Sequence, residues 1–169
     1  MLLVRATFAF LALPTLVAGV MPVLLAHGTP IVRKMMVPGI ALVTMGGIVL
    51  LWCARDLFVS GRGTLAPWDP PTHLVVVGLY RFMRNPMYVA VLAVVVGWSV
   101  LYGSAWVLLY AIALAVRFYS RVRRQEEPWL QRQFGSEWEA YASRTRRWFP
   151  RLRPNSKWRK LGLSSKTAP

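Results

Sequence analysis

Acidic side chains are scarce in this chain. Against 21 Lys and Arg stand six Asp and Glu, which leaves a net charge of +15 over 169 residues. The six are Asp56, Asp69, Glu126, Glu127, Glu137 and Glu139, and none lies in the middle of an apolar run. Cysteine is rarer still. Cys53 alone, inside an apolar run, offers neither a disulfide framework nor a metal cluster. His27 and His73 are too few and too far apart in sequence for a zinc site, so no metal centre is expected. What the chain has in excess is apolar residues, 56 % of the total. A soluble nucleic-acid binder would explain the charge but not the long apolar runs. A membrane protein explains both, because Lys and Arg collect in cytoplasmic loops. The length allows one domain or one compact membrane bundle.

Residues 2–26 are apolar except for Arg5, with Pro14 and Pro22 expected to bend the helix. The run is long for a signal peptide and no clean small-x-small cleavage site follows it, so it reads as a first span. Neighbouring helices or Ser/Thr groups can satisfy the carbonyls that proline frees. His27-Gly28-Thr29-Pro30 reads as a turn. Arg33-Lys34 then precedes a second run over 37–59, apolar until Arg55 and Asp56. Its apolar part comes close to the roughly 20 residues that cross about 30 Å of hydrocarbon. Gly46-Gly47 lets another helix approach closely. Residues 60–73 form the main loop, where prolines and glycines forbid a long helix. Gly61-x-Gly63 within it is weak as a phosphate-cradling motif, with no strand before it and no helix after it. Leu74-Val75-Val76-Val77 is too short to span and reads as an extended segment lying on the bundle.

The chain is organised around Gly78-Leu79-Tyr80-Arg81-Phe82-Met83-Arg84-Asn85-Pro86-Met87-Tyr88. Asn85 can cap a helix, and Pro86 suits the first helical position, where its missing N–H would be unpaired anyway. Tyr80, Arg81, Arg84 and Tyr88 should therefore cluster at a helix N-terminus at the membrane boundary, a place that favours an anionic group. By itself the block reads equally well as a basic juxtamembrane loop before an N-capped span.

Residues 87–102 are a third span, short at roughly 24 Å, with re-entry as the competing reading. Gly103-Ser104 turns the chain into a fourth span over 105–116. Arg117, Arg121 and Arg124 continue one helix face. Pro128 should break or restart the helix after Glu126-Glu127, and Gly135 should cap its C-terminus near Phe134. Ser136-Glu137-Trp138-Glu139 has the form of a capping box opening another short helix to about Arg144. Trp129, Trp138, Trp148 and Phe149 read as interface aromatics beside a basic tail. Most Lys and Arg fall in 117–160, which places the C-terminus and the 60–86 loop in the cytoplasm; Arg33-Lys34 sits on the other side of this scheme. The expected fold is thus an all-α integral membrane protein with about four transmembrane helices, a cytoplasmic cofactor-binding loop and C-terminal helices. Its parts are an N-terminal hairpin over 1–59, a core with a second hairpin over 60–150 and a basic tail over 151–169.

The block at 78–88, the helical hairpin after it, and then Glu126-Glu127-x-x-Leu130, Phe134-Gly135 and Tyr141 resemble the isoprenylcysteine carboxyl methyltransferase and phospholipid methyltransferase superfamily. The resemblance runs from about Gly61 to Pro150. It implies an integral membrane enzyme that moves a methyl group from S-adenosylmethionine to a lipid or an apolar acceptor, with the bilayer rather than nucleic acid as its partner. Carried over, the cofactor-binding residues are Thr72, His73, Leu74, Val75, Tyr80, Asn85, Pro86, Met87, Tyr88 and Glu126. Arg84, Tyr88 and Glu127 carry the catalytic role, and Gly61-x-Gly63-Thr64 resembles a loop motif of the phospholipid branch. Asn85 stands where the prenylcysteine enzymes usually have His, so a role needing a titrating imidazole is lost. Pro128 directly after the Glu pair is a second departure. Few eukaryotic sorting features are present, which favours a bacterial inner membrane.

Elementary chemistry agrees. A carboxylate such as Glu126 suits the ammonium of S-adenosylmethionine, and Arg84 or the helix terminus at Asn85/Pro86 suits its carboxylate. Tyr80, Tyr88 or Trp129 can pack on adenine or approach the sulfonium. A carboxylate acceptor needs no general base. An amine or thiol does, and Glu126, Glu127, Tyr88 and His73 are the candidates. The competing readings are a non-catalytic scaffold and an anionic-lipid binder, in which Glu126-Glu127 is a solvated pair facing Arg123 or Arg124.

Overall fold

The computed structural model describes residues 14–61 and 73–151. Among the described residues all regular structure is helical, apart from an isolated parallel bridge between Met83 and Arg146. Short helix α1 (Met21–Leu25) follows a π turn over Leu16–Val20. Then come α2 (Met36–Gly61), α3 (Pro86–Tyr102), α4 (Ala105–Arg121), α5 (Glu127–Phe134) and α6 (Ser136–Ala142). Thr72 and the Gly63-Thr64 part of the loop motif lie outside the described residues, as do positions 2–13 of the first run and 152–169 of the tail.

Among the described residues two helices are long and apolar enough to cross a membrane, Arg33–Ser60 and Ala105–Phe134. The other two expected spans are shorter as described, Leu16–Leu25 and Pro86–Tyr102. The second is bounded chemically: Pro86 opens it, and Gly103 at φ +59° closes it in the left-handed region. Ser104 caps the next helix by accepting the Val107 N–H at 3.5 Å.

Pro22 explains the shape of the first run. Its ring nitrogen cannot donate, and the widened turn before it sends the Met21 N–H back to Leu16 O. Ala18 O and Val17 O, the carbonyls that Pro22 would serve in an α or a π turn, bond elsewhere. Trp98 Nε1 donates to Ala18 O at 2.9 Å, and the Tyr110 hydroxyl donates to Val17 O at 3.1 Å. Helices α3 and α4 thus satisfy the carbonyls that proline leaves open.

Pro128 does not break the helix that runs over Ala105–Phe134. A second π turn, Val122–Glu126, widens the helix just before it, and the Glu127 N–H reaches back to Val122 O. This places Pro128 in the first turn of α5, where a missing N–H is harmless, so α4 runs through into α5. Ser136 does not act as an N-cap either. Gly135, at φ +49°, takes that position with no side-chain cap, and Gln131 Nε2 instead donates to Glu139 at 2.7 Å.

Helix α3 is the centre of the bundle. Ala90, Val91, Val94 and Val95 are buried against Leu50 of α2 and Val107 and Ala111 of α4. Small residues let α2 and α3 meet at backbone distance. A Cβ at Gly39 would lie 2.9 Å from Leu101 Cα; one at Gly46, 3.0 Å from Ala90 O; one at Gly97, 2.8 Å from Val43 N. Gly47 faces open space. The outer faces are apolar: Val37, Met45, Ile48 and Leu51 on α2 and Trp106, Leu109, Ile112 and Val116 on α4 are exposed. Surfaces of that kind are covered by lipid or protein rather than by water. Arg33-Lys34 sits beside the α3–α4 turn, where the Val32 N–H donates to Leu101 O at 3.0 Å, at the end of the bundle opposite Arg84.

Gly97→Val should force α2 and α3 apart and destabilise the bundle by about 1–3 kcal/mol, whereas Gly47→Ala should be neutral or stabilising. Thermal unfolding in detergent measures both; equal melting points for the two variants would contradict this packing.

Candidate active site

At one end of the bundle a cleft of about 580 Å³ opens between the end of α2, the start of α3 and the α4–α5 junction. That is the size of a small-molecule site. Behind its wall Gly78 has φ +53° and opens a 3₁₀ turn over Gly78–Arg81. The Asp56 carboxylate occupies the space where a side chain at 78 would stand, so only glycine fits. The turn carries Tyr80 inward. Its carbonyl accepts the Tyr141 hydroxyl at 2.8 Å. Burial pushes both phenols up from their ordinary pKa, so both stay neutral.

Pro86 starts α3 as expected, but Asn85 caps nothing with its side chain. Asn85 Nδ2 donates instead to Arg147 O at 3.2 Å. Around this joint the 82–85 segment is bound to the chain after α6: Arg84 N–H to Arg146 O at 2.9 Å, Arg151 N–H to Phe82 O at 3.0 Å. Residues 144–151 form a strap across the loop.

The two adjacent carboxylates have different surroundings. Glu126 Oε1 accepts Arg121 Nε at 2.8 Å and the Tyr88 hydroxyl; its Oε2 makes no hydrogen bond among the described residues. The Tyr88 ring packs on Phe118, centroids 4.4 Å apart. Glu127 is engaged on both oxygens. Oε1 accepts Arg84 Nη1 at 2.8 Å and Arg147 Nε at 2.8 Å, and Oε2 accepts Arg147 Nη2 at 2.6 Å. The hydrogen bond to Glu127 raises the pKa of Arg147 further. The Arg84 guanidinium lies 5.8 Å above the Trp138 ring, and its buried Nε–H has no acceptor among the described residues. The pair therefore does not face Arg123 or Arg124 as a solvated couple; Glu126 is tied to Arg121, and Glu127 to Arg84 and Arg147.

His73, Leu74, Val75 and Tyr80 line the cleft together with Arg84, Asn85, Met87, Tyr88, Glu126 and Glu127. Pro86 does not; it is buried behind the wall. Sequence reasoning passed over Arg121, Trp138 and Arg147 as site residues. Arg121 pairs with Glu126 at a spacing of five, which only the π turn produces. Trp138 is buried under Arg84 rather than at an interface. Arg147 lay in a basic stretch with nothing to distinguish it from its neighbours.

A family model for phospholipid methyltransferases matches residues 34–137. The nickel-cobalt-cadmium resistance protein NccN of Alcaligenes xylosoxydans xylosoxydans is 39 % identical over 113 residues, which cover 65 % of this chain and 47 % of that protein. The chain thus spans about half the length of the curated relative it matches. No solved structure matches it. With the family match covering more than half of its residues, the chain belongs to the phospholipid methyltransferase family, within the isoprenylcysteine carboxyl methyltransferase-type superfamily.

Proposed function

We propose that the cleft binds S-adenosylmethionine and that the protein transfers its methyl group to a lipid or another apolar acceptor reaching the cleft from the bilayer. The observation that carries this reading is the convergence, in one cleft, of Arg84 and Tyr88 with Glu126 and Glu127 some forty residues later. The donor set fits the cofactor. Glu126, with an oxygen to give, would hold the ammonium, and Arg84, with a buried N–H lacking an acceptor, would hold the carboxylate. Tyr80 and Trp129 supply aromatic faces in the same cleft. His73, Leu74 and Val75 would close the other side, and Thr72 precedes them in sequence.

The cofactor, when bound, supplies an electrophilic methyl on a sulfonium. The chain's own residues orient the partners and exclude water, since in-line displacement with a neutral leaving group depends mainly on alignment. Tyr88 fixes Glu126. Glu127, held by two arginines, acts as an anchor for Arg84 rather than as a base. The acceptor is of the isoprenylcysteine-carboxylate or phospholipid-amine kind. The exposed apolar faces of α2 and α4 support an integral membrane location, the charge bias supports a cytoplasmic side for the cleft and C-terminus, and the scarcity of eukaryotic sorting features favours a bacterial inner membrane. In this arrangement 1–59 forms the N-terminal hairpin, 60–150 the methyltransferase core and 151–169 a basic tail. The resistance link of the NccN relative extends here as a proposal: methylation by this chain contributes to tolerance of divalent metals.

Calorimetry on detergent-purified protein tests the cofactor. Glu126→Ala should weaken S-adenosylmethionine binding about tenfold or more, and Tyr88→Phe, which keeps the ring on Phe118, should weaken it less. Unchanged affinity in Glu126→Ala would remove the site assignment. For the physiological reading, expression in a metal-sensitive bacterial host should raise nickel tolerance with the wild type and not with Glu126→Ala; equal growth of the two would separate tolerance from methyl transfer.

A further inference from the structure

Arg147 lies beyond the family-matched residues, yet it makes the most extensive contact in the site. Two of the three hydrogen bonds on Glu127 are its own, one to each oxygen. Arg84 holds only the third, through Nη1, and its buried Nε–H is left without an acceptor among the described residues. Two guanidinium groups thus share one carboxylate, and the triad keeps one uncompensated positive charge. Arg84 is the member of the two cations that lines the cleft.

A guanidinium and a carboxylate with no competitor close into a two-point pair, in which both charges are satisfied by each other. We propose that Arg147 is a positioning residue: by occupying both oxygens of Glu127 it keeps Arg84 from that closure, and so preserves on Arg84 a charge and a hydrogen bond for the carboxylate of S-adenosylmethionine. This rests on the cofactor reading above.

The main chain of the strap does not need the Arg147 side chain. Arg84 N–H to Arg146 O, Arg151 N–H to Phe82 O and Asn85 Nδ2 to Arg147 O all survive its truncation. Trp148, the next residue, stacks on Tyr119 with centroids 6.4 Å apart. Arg147→Ala should therefore leave the segment docked.

The test compares S-adenosylmethionine with its decarboxylated analogue, which has the same sulfonium and amine but no carboxylate. Binding of each to the detergent-purified full chain is measured by calorimetry, with thermal unfolding alongside. Wild type should prefer the carboxylated ligand by about tenfold or more. Arg147→Ala should lose that preference by weakening S-adenosylmethionine alone. Adding Glu127→Gln to Arg147→Ala removes the competing charge and should restore the preference, which keeps the test decisive even if the single variant is unstable. Equal weakening of both ligands in Arg147→Ala, or no change in either, would overturn the proposal while leaving the cofactor site standing. Equal binding of the two ligands by wild type would overturn it too. Failure of wild type to bind either would overturn the cofactor reading itself.

Discussion

Glu127 sits where three segments distant in sequence meet: the loop before α3, the start of α5 and the strap after α6. Its three charge-assisted hydrogen bonds come from Arg84 and Arg147, and Glu127 and Arg84 keep only 16 % of their side-chain surface exposed. Removing charges from water this far is costly unless every oxygen and most donors are paired. Glu127 meets that condition in full. Arg84 does not, because its Nε–H lacks an acceptor among the described residues. The same contact that closes the bundle end therefore leaves one buried N–H of Arg84, a residue of the cleft wall, without an acceptor among the described residues.

The widened turn over Val122–Glu126 is the local device that permits this. An α-helix running straight from α4 would place Pro128 against the preceding turn and rotate the carboxylates away from their arginines. The extra residue per turn removes the clash and lets Arg121 reach Glu126 five positions on. Wide turns inside helices occur often at functional sites. The π turn at Leu16–Val20 handles Pro22 in a related way, but there the orphaned carbonyls are served by Trp98 and Tyr110 from other helices. Both prolines shape the molecule by what their missing N–H forces on neighbours.

The bundle and the cleft impose opposite demands. Between α2 and α3, glycines bring backbones into contact and leave no room for a ligand. Toward the cleft, helix ends and loop diverge, and arginines and tyrosines replace valine and alanine. The apolar outer faces of α2 and α4 continue up to this polar end.

Much of this was legible in the chain itself. The apolar runs announce a helical bundle, Pro86 and Gly103 bound α3, and the 78–88 block together with Glu126-Glu127 marks the residues that line the cleft. These are properties of local composition and of backbone chemistry at proline and glycine, which act within a few residues and can be read in order. Side-chain pairing is different. Asn85 and Ser136 had the right chemistry to cap helices, but tertiary partners or the backbone at Gly135 took precedence. Which arginine meets which carboxylate depended on a π turn whose register no periodic pattern displays. Arg147 was one basic residue among many until folding laid the strap across the loop. Sequence determined which groups exist and where helices can run; only the packed chain, with few acids shared among many arginines in a confined space, decided which charges are neutralised and which one is left facing the cleft.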